Sequence, residues 1–540
     1  MIFEIINYTA TVSLAYMIFL VLYRLTLHPL AEFPGPKIAA ATKWYEFYYD
    51  CIKGAGGLFA YEVDRMHERY GPIVRINPHE LHVSDPAWLD TLYTGPGPVR
   101  DKYAPSAHSS GAPEGTFGTV DHYIHRQRRS AVRTFDSKKT VRAFQTSICT
   151  TVEDLCRELS RCAENGEIFE CSVYFLSWAT DSVAKYLEND TYGLLDDEQR
   201  RNSWHKTVEK VIKLTPIVKQ FPFFMPFVLR VPEWIMRIVS QDLNLVLLMH
   251  KVRSTSFSPC GEDLHYVALK WRMRCTARRY LSLHNLEAEK VNEPMRIDGY
   301  FKGKPDAYWA ILSSDLPECD KEPDRVAQEV LTLLVGGSVT TMRVMSRIIY
   351  HVSSSSHVLH ELRKSLDAIM PLRTTHPELQ VLENQEYLVA VVKESLRITT
   401  ALTSRLPLVS PAKPLSYNEN KWIIPAGTPV SMSISRILMD QDIYENPYEF
   451  RPERWLGSPA QKAQLAKYFV PFGRGARMCV GQNFAWAELI ICTAMLFRRF
   501  DFELCGVDRQ RDVDVQGDFF LAQPSPNSRG IRVKVHSRTT

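Results

Sequence analysis

The chain has 540 residues, of which 45% are hydrophobic and 23% are charged, an ordinary globular mixture whose length suits several domains or one large one. Its formal net charge of +4 is too small to indicate a nucleic-acid-binding protein. The 11 cysteines are scattered and include no C-x-x-C pair, which argues against a zinc site or a disulfide framework and favours a reducing compartment.

The N-terminal segment predicts a membrane helix. Residues 5–23 carry no charge and would form a helix of about 28 Å, which is enough to span a bilayer. Four polar side chains weaken this segment, so a marginal span is the alternative. No small-residue cleavage site follows, which disfavours a signal peptide. Glu4 precedes the span, whereas Arg24 and Lys37 follow it, so the positive-inside rule places the rest of the chain in the cytosol.

The next 100 residues contain a turn, a hairpin and a loop. Residues 33–36 (FPGP) predict a stiff turn that cannot continue the helix. Residues 70–85 alternate apolar and polar side chains between Gly and Pro, which predicts a two-stranded hairpin. Residues 101–120 are rich in Gly, Pro, Ala and Ser and predict a loop.

A basic run then begins at His125. His125 and Arg129 lie four residues apart and therefore on one face of a predicted helix, while most of the other charges are interpreted as a solvated face. Several helices without a chemical motif are predicted from 144 to 251. Residues 252–266 interrupt the helical pattern and suggest an insertion or a misannotated segment.

Residues 323–352 predict one helix of about 30 residues, with Pro323 in its first turn. Gly336 and Gly337 lie in its middle, where two glycines cost roughly 2 kcal/mol relative to alanine. A function that needs space is therefore expected here. The two interpretations are close packing against another helix and room for a ligand.

Further along, short strands with turns are predicted in 404–411 and 421–434, and 512–524 with 530–535 predict a closing hairpin. The most informative stretch is 471–481 (PFGRGARMCVG), which places Cys479 directly before an apolar helix. The positive end of that helix favours a thiolate. Glycines permit close approach of a large flat cofactor, and Arg477 can pair with an anion on its rim. The alternative is a buried structural cysteine.

These residues carry a resemblance to the cytochrome P450 family of haem-thiolate monooxygenases. The family signature Phe-x-x-Gly-x-Arg-x-Cys-x-Gly is met in full, at 472–481. The resemblance covers essentially the whole chain, because the other family motifs follow in order at 33–37, 125–129, 336–341, 394–397 and 450–455. The amino-acid sequences of several segments are most similar to those of fungal secondary-metabolism members, such as the terpenoid (trichodiene-type) oxygenases.

The resemblance implies the cytochrome P450 fold, which is mainly α, with a large helical domain, a small β-rich region and the N-terminal transmembrane helix. The expected division is a membrane anchor at 1–24, a proline-rich hinge at 25–37 and the haem-thiolate domain at 38–540. The loop at 101–120 would lie over the haem, with Phe117 as a candidate for lining the substrate pocket. The closing hairpin would border that pocket with Phe520 and Leu521.

The family pattern also implies haem-binding residues. Cys479 would ligate the iron, with Phe472 and Arg477 beside it in the same loop. Arg129 would bind the haem propionates together with His125, which occupies a position that is aromatic in the family. Arg405 would also reach a propionate. Leu408 stands where related sequences often have an arginine.

Two other motifs have implied roles. Thr340 matches the threonine that assists oxygen activation and proton delivery, so it joins Cys479 as a catalytic residue. Its neighbour Val339 departs from the usual Asp or Glu, so protons would come through Ser338, water or another route. Outside the haem site, the Glu-x-x-Arg motif at 394–397 would join Arg454 in a structural network.

The implied function is insertion of one oxygen atom from O2 into a hydrophobic small molecule, with haem b as cofactor. No dinucleotide-type glycine turn is present, so electrons would come from NADPH through a separate cytochrome P450 reductase, with cytochrome b5 as a second donor. A basic face would bind this acidic partner; its residues are Arg126, Arg128, Arg133, Lys138 and Lys139. The protein would be anchored in the endoplasmic reticulum membrane, with the catalytic domain in the cytosol. The alternatives are an oxygen-independent isomerase or dehydratase and a degenerate haem binder.

Overall fold

A computed structural model of the protein describes residues 2–108, 112–133, 137–221, 272–282 and 306–538. Helices dominate these residues, as predicted. They are α1 (Ile2–Thr26), α2 (Lys37–Ala41), α3 (Trp44–Phe47), α4 (Phe59–Tyr70), α5 (Leu89–Leu92), α6 (Ala104–His108), α7 (His122–Arg133), α8 (Lys138–Asn165), α9 (Cys171–Glu188), α10 (Glu198–Gln220), α11 (Ala307–Leu312), α12 (Pro323–Ser353), α13 (Ser356–Ile369), α14 (Leu379–Glu383), α15 (Glu386–Thr399), α16 (Ile434–Leu438), α17 (Pro459–Tyr468) and α18 (Gln482–Arg499). Residues 272–282 are also helical. The predicted interruption at 252–266 lies outside the described residues.

The strands are short and form small sheets. They are β1 (Ile73–Arg75), β2 (Leu81–Val83), β3 (Asp101–Lys102), β4 (Ile168–Glu170), β5 (Leu408–Val409), β6 (Leu415–Tyr417), β7 (Trp422–Ile424), β8 (Pro429–Ser431), β9 (Phe500–Leu504), β10 (Gly517–Phe519), β11 (Leu521–Gln523) and β12 (Arg532–Ser537). The largest sheet has the order β1-β2-β8-β5-β3, a second has the order β4-β12-β9, and β6-β7 and β10-β11 form two hairpins. The predicted hairpin at 70–85 is confirmed by the antiparallel β1-β2 pair.

One strand prediction and one loop prediction need correction. The predicted closing hairpin does not join 512–524 to 530–535, because β10 turns back directly into β11 at Phe520. Strand β12 pairs instead with β4, which lies far earlier in the chain, and with β9, and both pairs are antiparallel. The segment 101–120 is also more ordered than a plain loop, since it contains β3 and α6.

The N-terminal helix α1 is the one helix among the described residues that is long and apolar enough to cross a membrane, and none of its side chains is buried. It ends at Thr26, before the predicted FPGP turn. The segment that follows is packed against the domain. Arg75 in β1 donates to the Leu30 carbonyl oxygen at 3.2 Å and to the Arg24 carbonyl oxygen at 2.8 Å. Two hydrogen bonds, one of them buried, therefore hold the end of α1 and the segment after it against β1.

The long helix α12 runs through the main apolar core, which confirms the predicted single helix of about 30 residues. Its most extensive packing partner is α9, and it also packs against α15 and α18. An added Cβ at Gly337 would lie 2.9 Å from the Val183 side chain on α9, whereas one at Gly336 would meet nothing within 4 Å. Close packing against another helix is thus confirmed at Gly337, and room for a ligand stays a prediction at Gly336.

A buried carboxylate fastens the segment before the cysteine loop to the core. Glu394 on α15 is fully buried and accepts hydrogen bonds from the Arg397 guanidinium at 2.7 and 2.9 Å. It also accepts from Arg454 Nε and Trp455 Nε1, each at 2.9 Å. Such a pair is stable because every carboxylate oxygen has charged or polar donors. The predicted network of Glu394, Arg397 and Arg454 is confirmed.

A second buried carboxyl group lies between α12 and α18. Glu488 on α18 is fully buried, and Thr341 Oγ1 on α12 donates to its Oε2 at 3.3 Å. Burial outweighs this hydrogen bond and raises the pKa of Glu488 to about 8. The folded protein therefore holds this carboxyl group protonated at neutral pH.

This protonation predicts a pH-dependent effect of Glu488→Gln. The unfolded chain ionises Glu488 above its ordinary pKa of 4.5, whereas the folded chain keeps the proton up to about pH 8. The wild type therefore loses stability between these values, at up to about 1.4 kcal/mol per pH unit, and the glutamine variant does not. In denaturant titrations in detergent, the stability of Glu488→Gln relative to wild type should rise across this window and level off above it. The exposed Glu378→Gln is the control, and an equal trend in both variants would contradict the assignment.

Candidate active site

The cysteine loop is a tight turn before α18. The Cys479 backbone N–H donates to the Phe472 carbonyl oxygen at 2.8 Å, which closes the loop. Gly475 has a φ of 76°, and a Cβ there would lie 2.2 Å from the Thr94 carbonyl oxygen, so only glycine fits. Cys479 is exposed, although the helix that follows it is buried in the core. The sequence thus folds so that this cysteine is exposed beside a buried helix.

Arg477 and Arg129 both bind backbone near this loop. The Arg477 guanidinium donates to the carbonyl oxygens of Thr119 and Val120 at 2.6 and 2.8 Å. Arg129 on α7 donates to the Met478 carbonyl oxygen at 2.7 Å, directly before Cys479. Two predicted site residues from distant parts of the sequence therefore meet at the loop.

His125 lies in the same cluster as Arg129 and Arg477. Its ring is buried, and desolvation together with the charges of Arg477, Arg129 and Lys102 lowers the pKa of His125 to about 2. A histidine surrounded by cations and shielded from water stays neutral. The structure thus brings together three of the predicted residues, and it adds one that the sequence analysis missed.

The added residue is Lys102 on β3. Its side chain is buried, with Nζ 2.7 Å from the Phe117 carbonyl oxygen and 3.1 Å from the centre of the Phe117 ring. Burial, with the nearby Arg477 charge, lowers the pKa of Lys102 well below its ordinary value. Lys102 lies directly opposite Leu408 in the β3-β5 pair. No sequence motif marks this lysine, because its place follows from strand pairing across about 300 residues.

Arg405 has other partners than the predicted haem carboxylate. Its guanidinium pairs with Glu46 at 2.8 Å and with Glu80 at 3.2 Å, and both acids are buried. Lys219 at the end of α10 joins them, 2.9 Å from Glu46. The two carboxylates hold the pKa of Arg405 well above its ordinary value. Arg405 therefore belongs to a buried charge network that connects α3, α10 and the β1-β2 turn.

The central helix has an open notch. Gly336 is exposed and Thr340, one turn later, is half-buried, whereas Ser338 and Val339 between them are buried. The Thr340 hydroxyl donates to the Gly336 carbonyl oxygen at 2.7 Å. Ser338 donates to the Leu334 carbonyl oxygen and lies in the core, whereas Thr340 lies at the notch.

The predicted basic face is also smaller than expected. Arg128 is not on it, because its guanidinium is mostly buried and binds Asp320 Oδ1 at 2.5 Å and Thr119 Oγ1 at 2.9 Å.

A cavity of about 420 Å³ opens beside the cysteine loop. Lys138, Lys393 and Arg474 are among its lining residues, together with the aromatic residues Phe472 and Trp486.

Comparisons with known proteins agree with this geometry. The sequence model of the cytochrome P450 family matches residues 288–529. The cytochrome P450 monooxygenase sdnE of Sordaria araneosa is 34% identical over 535 residues, which cover 98% of each chain. The fusicoccadiene C-8 hydroxylase of Alternaria brassicicola is 33% identical over 97% of this chain and 94% of its own. The tryptophan 6-hydroxylase fscE of Fusarium equiseti is 33% identical over 96% and 94%.

Solved structures show the same fold. The crystal structure of a cytochrome P450 (CYP102L1) superposes with a TM-score of 0.65 at 16% identity, and the match covers 89% of this chain and 98% of the other. Sequence similarity over nearly the whole length, the shared fold and the cysteine loop lead to one assignment. The chain belongs to the cytochrome P450 family of haem-thiolate monooxygenases.

Proposed function

We propose that haem b binds between the cysteine loop and the notch of α12, with Cys479 as the iron ligand. The observation that carries this proposal is the group of basic side chains beside the loop, Lys102, Arg129 and Arg477, with the neutral His125 among them. Lys102 is buried and the two arginines are half-buried, so an anion beside them would offset the cost of bringing these cations together. The two carboxylates of haem b would add this negative charge to that of Asp101 and Asp121, which already act on Arg477.

Two features of the structure fit such a group. Arg477 Nε is buried and has no hydrogen-bond partner among the described residues, so it can bind a carboxylate. Added Cβ atoms at Gly336 and Gly481 would meet nothing within 4 Å, which leaves space on both the notch side and the loop side. In the family, bound haem activates dioxygen by accepting electron density from the thiolate.

The protein's own groups would then position the reactants. Cys479 lies before the N-terminus of α18, where the helix dipole stabilises a thiolate. The Thr340 hydroxyl, in the open notch, can hold a proton at Oγ1 or pass one to water. Val339 is buried and cannot ionise. Val339 therefore cannot supply a proton, and the proposed route to Thr340 runs through water.

We infer that the substrate is a hydrophobic secondary metabolite, with a terpenoid as the first choice. One similar protein is a fusicoccadiene hydroxylase, and another is the conidiogenone synthase of Penicillium rubens. Tryptophan and N-acetyltryptophan 6-hydroxylases are also similar, so an indole substrate is the competing choice. An oxygen-independent isomerase or dehydratase is the second candidate activity, favoured only by Val339.

We further propose that α1 anchors the protein in the endoplasmic reticulum membrane, with the catalytic domain in the cytosol. Electrons would come from NADPH through cytochrome P450 reductase, with cytochrome b5 as a second donor. The cavity with Lys138, Lys393 and Arg474 beside the cysteine loop supports docking of an acidic partner at this face. Docking here brings the electron donor to the side of the thiolate ligand.

A labelled-oxygen experiment tests the proposed activity. The full-length protein, a cytochrome P450 reductase and NADPH are incubated with cyclic terpene hydrocarbons and with tryptophan under ¹⁸O₂. We expect one labelled oxygen atom in the product and no product without reductase. Thr340→Ala should form less product per NADPH consumed and release more peroxide, because a positioned proton donor is typically worth about 10²–10⁴-fold.

The matched control is Thr332→Ala, which removes a hydroxyl two turns earlier on the same helix. An unlabelled product that forms without NADPH would establish the isomerase or dehydratase instead. Equal coupling in the wild type and in Thr340→Ala would remove Thr340 from the proton route.

A second experiment tests the role of Lys102. Lys102→Met removes a buried cation that we place at a haem carboxylate, so the haem dissociation constant should rise about tenfold to a hundredfold. Lys102→Arg should retain most of the affinity. The measurement is haem transfer to an excess of a haem-scavenging apoprotein. The exposed Lys413→Met is the control, and equal haem loss from wild type and Lys102→Met would contradict the assignment.

A further inference from the structure

Two phenylalanines from distant segments meet next to the basic cluster. The rings of Phe117 and Phe520 lie edge to face, with centroids 5.8 Å apart and an interplanar angle of 82°. Both are half-buried, and the Phe117 ring covers Lys102 Nζ. This aromatic pair therefore lies directly beside Lys102, at the proposed haem edge.

A buried carboxylate holds the first ring in place. Glu329 on α12 is 1% exposed, and its Oε2 accepts from the Thr116 backbone N–H at 2.7 Å and from Thr116 Oγ1 at 2.8 Å. Arg325 donates to the same oxygen at 2.8 Å. Thr116 directly precedes Phe117, so the loop is fixed on the central helix one residue before the ring.

A second buried carboxylate holds the other ring. Phe520 forms the tip of the β10-β11 hairpin with a φ of 75°, a conformation that is strained for a bulky side chain. Asp518 Oδ1 accepts from the Phe520 backbone N–H at 3.0 Å, from Thr403 Oγ1 at 2.9 Å and from Ser404 Oγ at 2.6 Å. The first of these hydrogen bonds holds the strained Phe520 backbone, and the other two fix the carboxylate that accepts it.

We propose that Glu329 and Asp518 are positioning residues that fix the Phe117–Phe520 pair as a rigid wall of the substrate cavity. The inference rests on the proposed haem site, because the wall faces substrate only if haem lies beside Lys102. Neither carboxylate touches the substrate. Each acts through the backbone next to a ring, and its charge strengthens the hydrogen bonds that it accepts.

The wall indicates the kind of substrate that it selects. The two aromatic rings, whose neighbouring backbone is held by Glu329 and Asp518, present an apolar surface that does not adapt to its ligand. A rigid polycyclic hydrocarbon gains from such a surface, because its orientation, and hence the carbon that is oxidised, is fixed without polar anchors. Loosening either ring should therefore change the shape of the cavity and leave the haem in place.

The test uses imidazole and 4-phenylimidazole as probes of the full-length haem protein. Both ligate haem iron through nitrogen, but only the second places a ring in the cavity. Glu329→Gln and Asp518→Asn should change the ratio of the two dissociation constants by about fivefold, comparable to one aromatic contact. The dissociation constant of imidazole itself should stay within about twofold, as for a surface change.

Phe117→Ala and Phe520→Gly should shift the ratio in the same way, and glycine also accepts the φ of 75° without strain. Glu322→Gln, exposed at the start of α12, is the matched control and should leave the ratio unchanged. If Asp518→Asn does not retain haem, Ser404→Ala, which removes one donor to the same oxygen, replaces it.

The outcomes separate this inference from the proposed function. Ring variants that shift the ratio while the carboxylate variants do not would overturn the positioning role. Equal changes for imidazole and 4-phenylimidazole would show general destabilisation and would also overturn it. A wild-type protein that gives no haem spectrum with imidazole would refute the proposed haem site itself.

Discussion

Positive charge on buried and half-buried side chains beside the cysteine loop is the constraint on which the rest of the site depends. Lys102, Arg129 and Arg477 come from three separate segments, and burial together with their charges lowers the pKa of His125 and keeps it neutral. Burial of such groups is costly unless an anion approaches them. The surrounding backbone offers carbonyl oxygens, which partly satisfy the donors but carry no full charge. Asp101 and Asp121 are the acidic groups nearest in effect to Arg477. The carboxylates of the proposed haem would add negative charge to this cluster.

Contiguous motifs were the features that the sequence predicted well. The cysteine loop, the Glu394–Arg397 pair and the long central helix are each set by residues close together in the chain, so their local geometry follows from spacing alone. Lys102 could not be found this way, because its position depends on the pairing of β3 with β5. The same cause explains Arg405, whose carboxylate partners come from segments more than 300 residues earlier.

The central helix combines two requirements at adjacent residues. Gly337 lets α12 and α9 approach closely, and Gly336 leaves open space on the other face. Ser338 and Val339 turn into the core, so Thr340 is the polar side chain left at the notch. Glu329, about three turns earlier, fixes the loop that covers this face. One helix thus provides packing and loop attachment and leaves open space at Gly336, whereas the sequence predicted only that something in this helix needs space.

The most direct test of this account is the absorption spectrum of the reduced, carbon-monoxide-bound protein. The wild type should show the band of a thiolate-ligated haem, and Cys479→Ala should lose it. The half-buried Cys505→Ala, in the segment after α18, should keep it, which controls for general effects of removing a cysteine. A thiolate-ligated spectrum that persists in Cys479→Ala would place the iron ligand elsewhere and contradict the account.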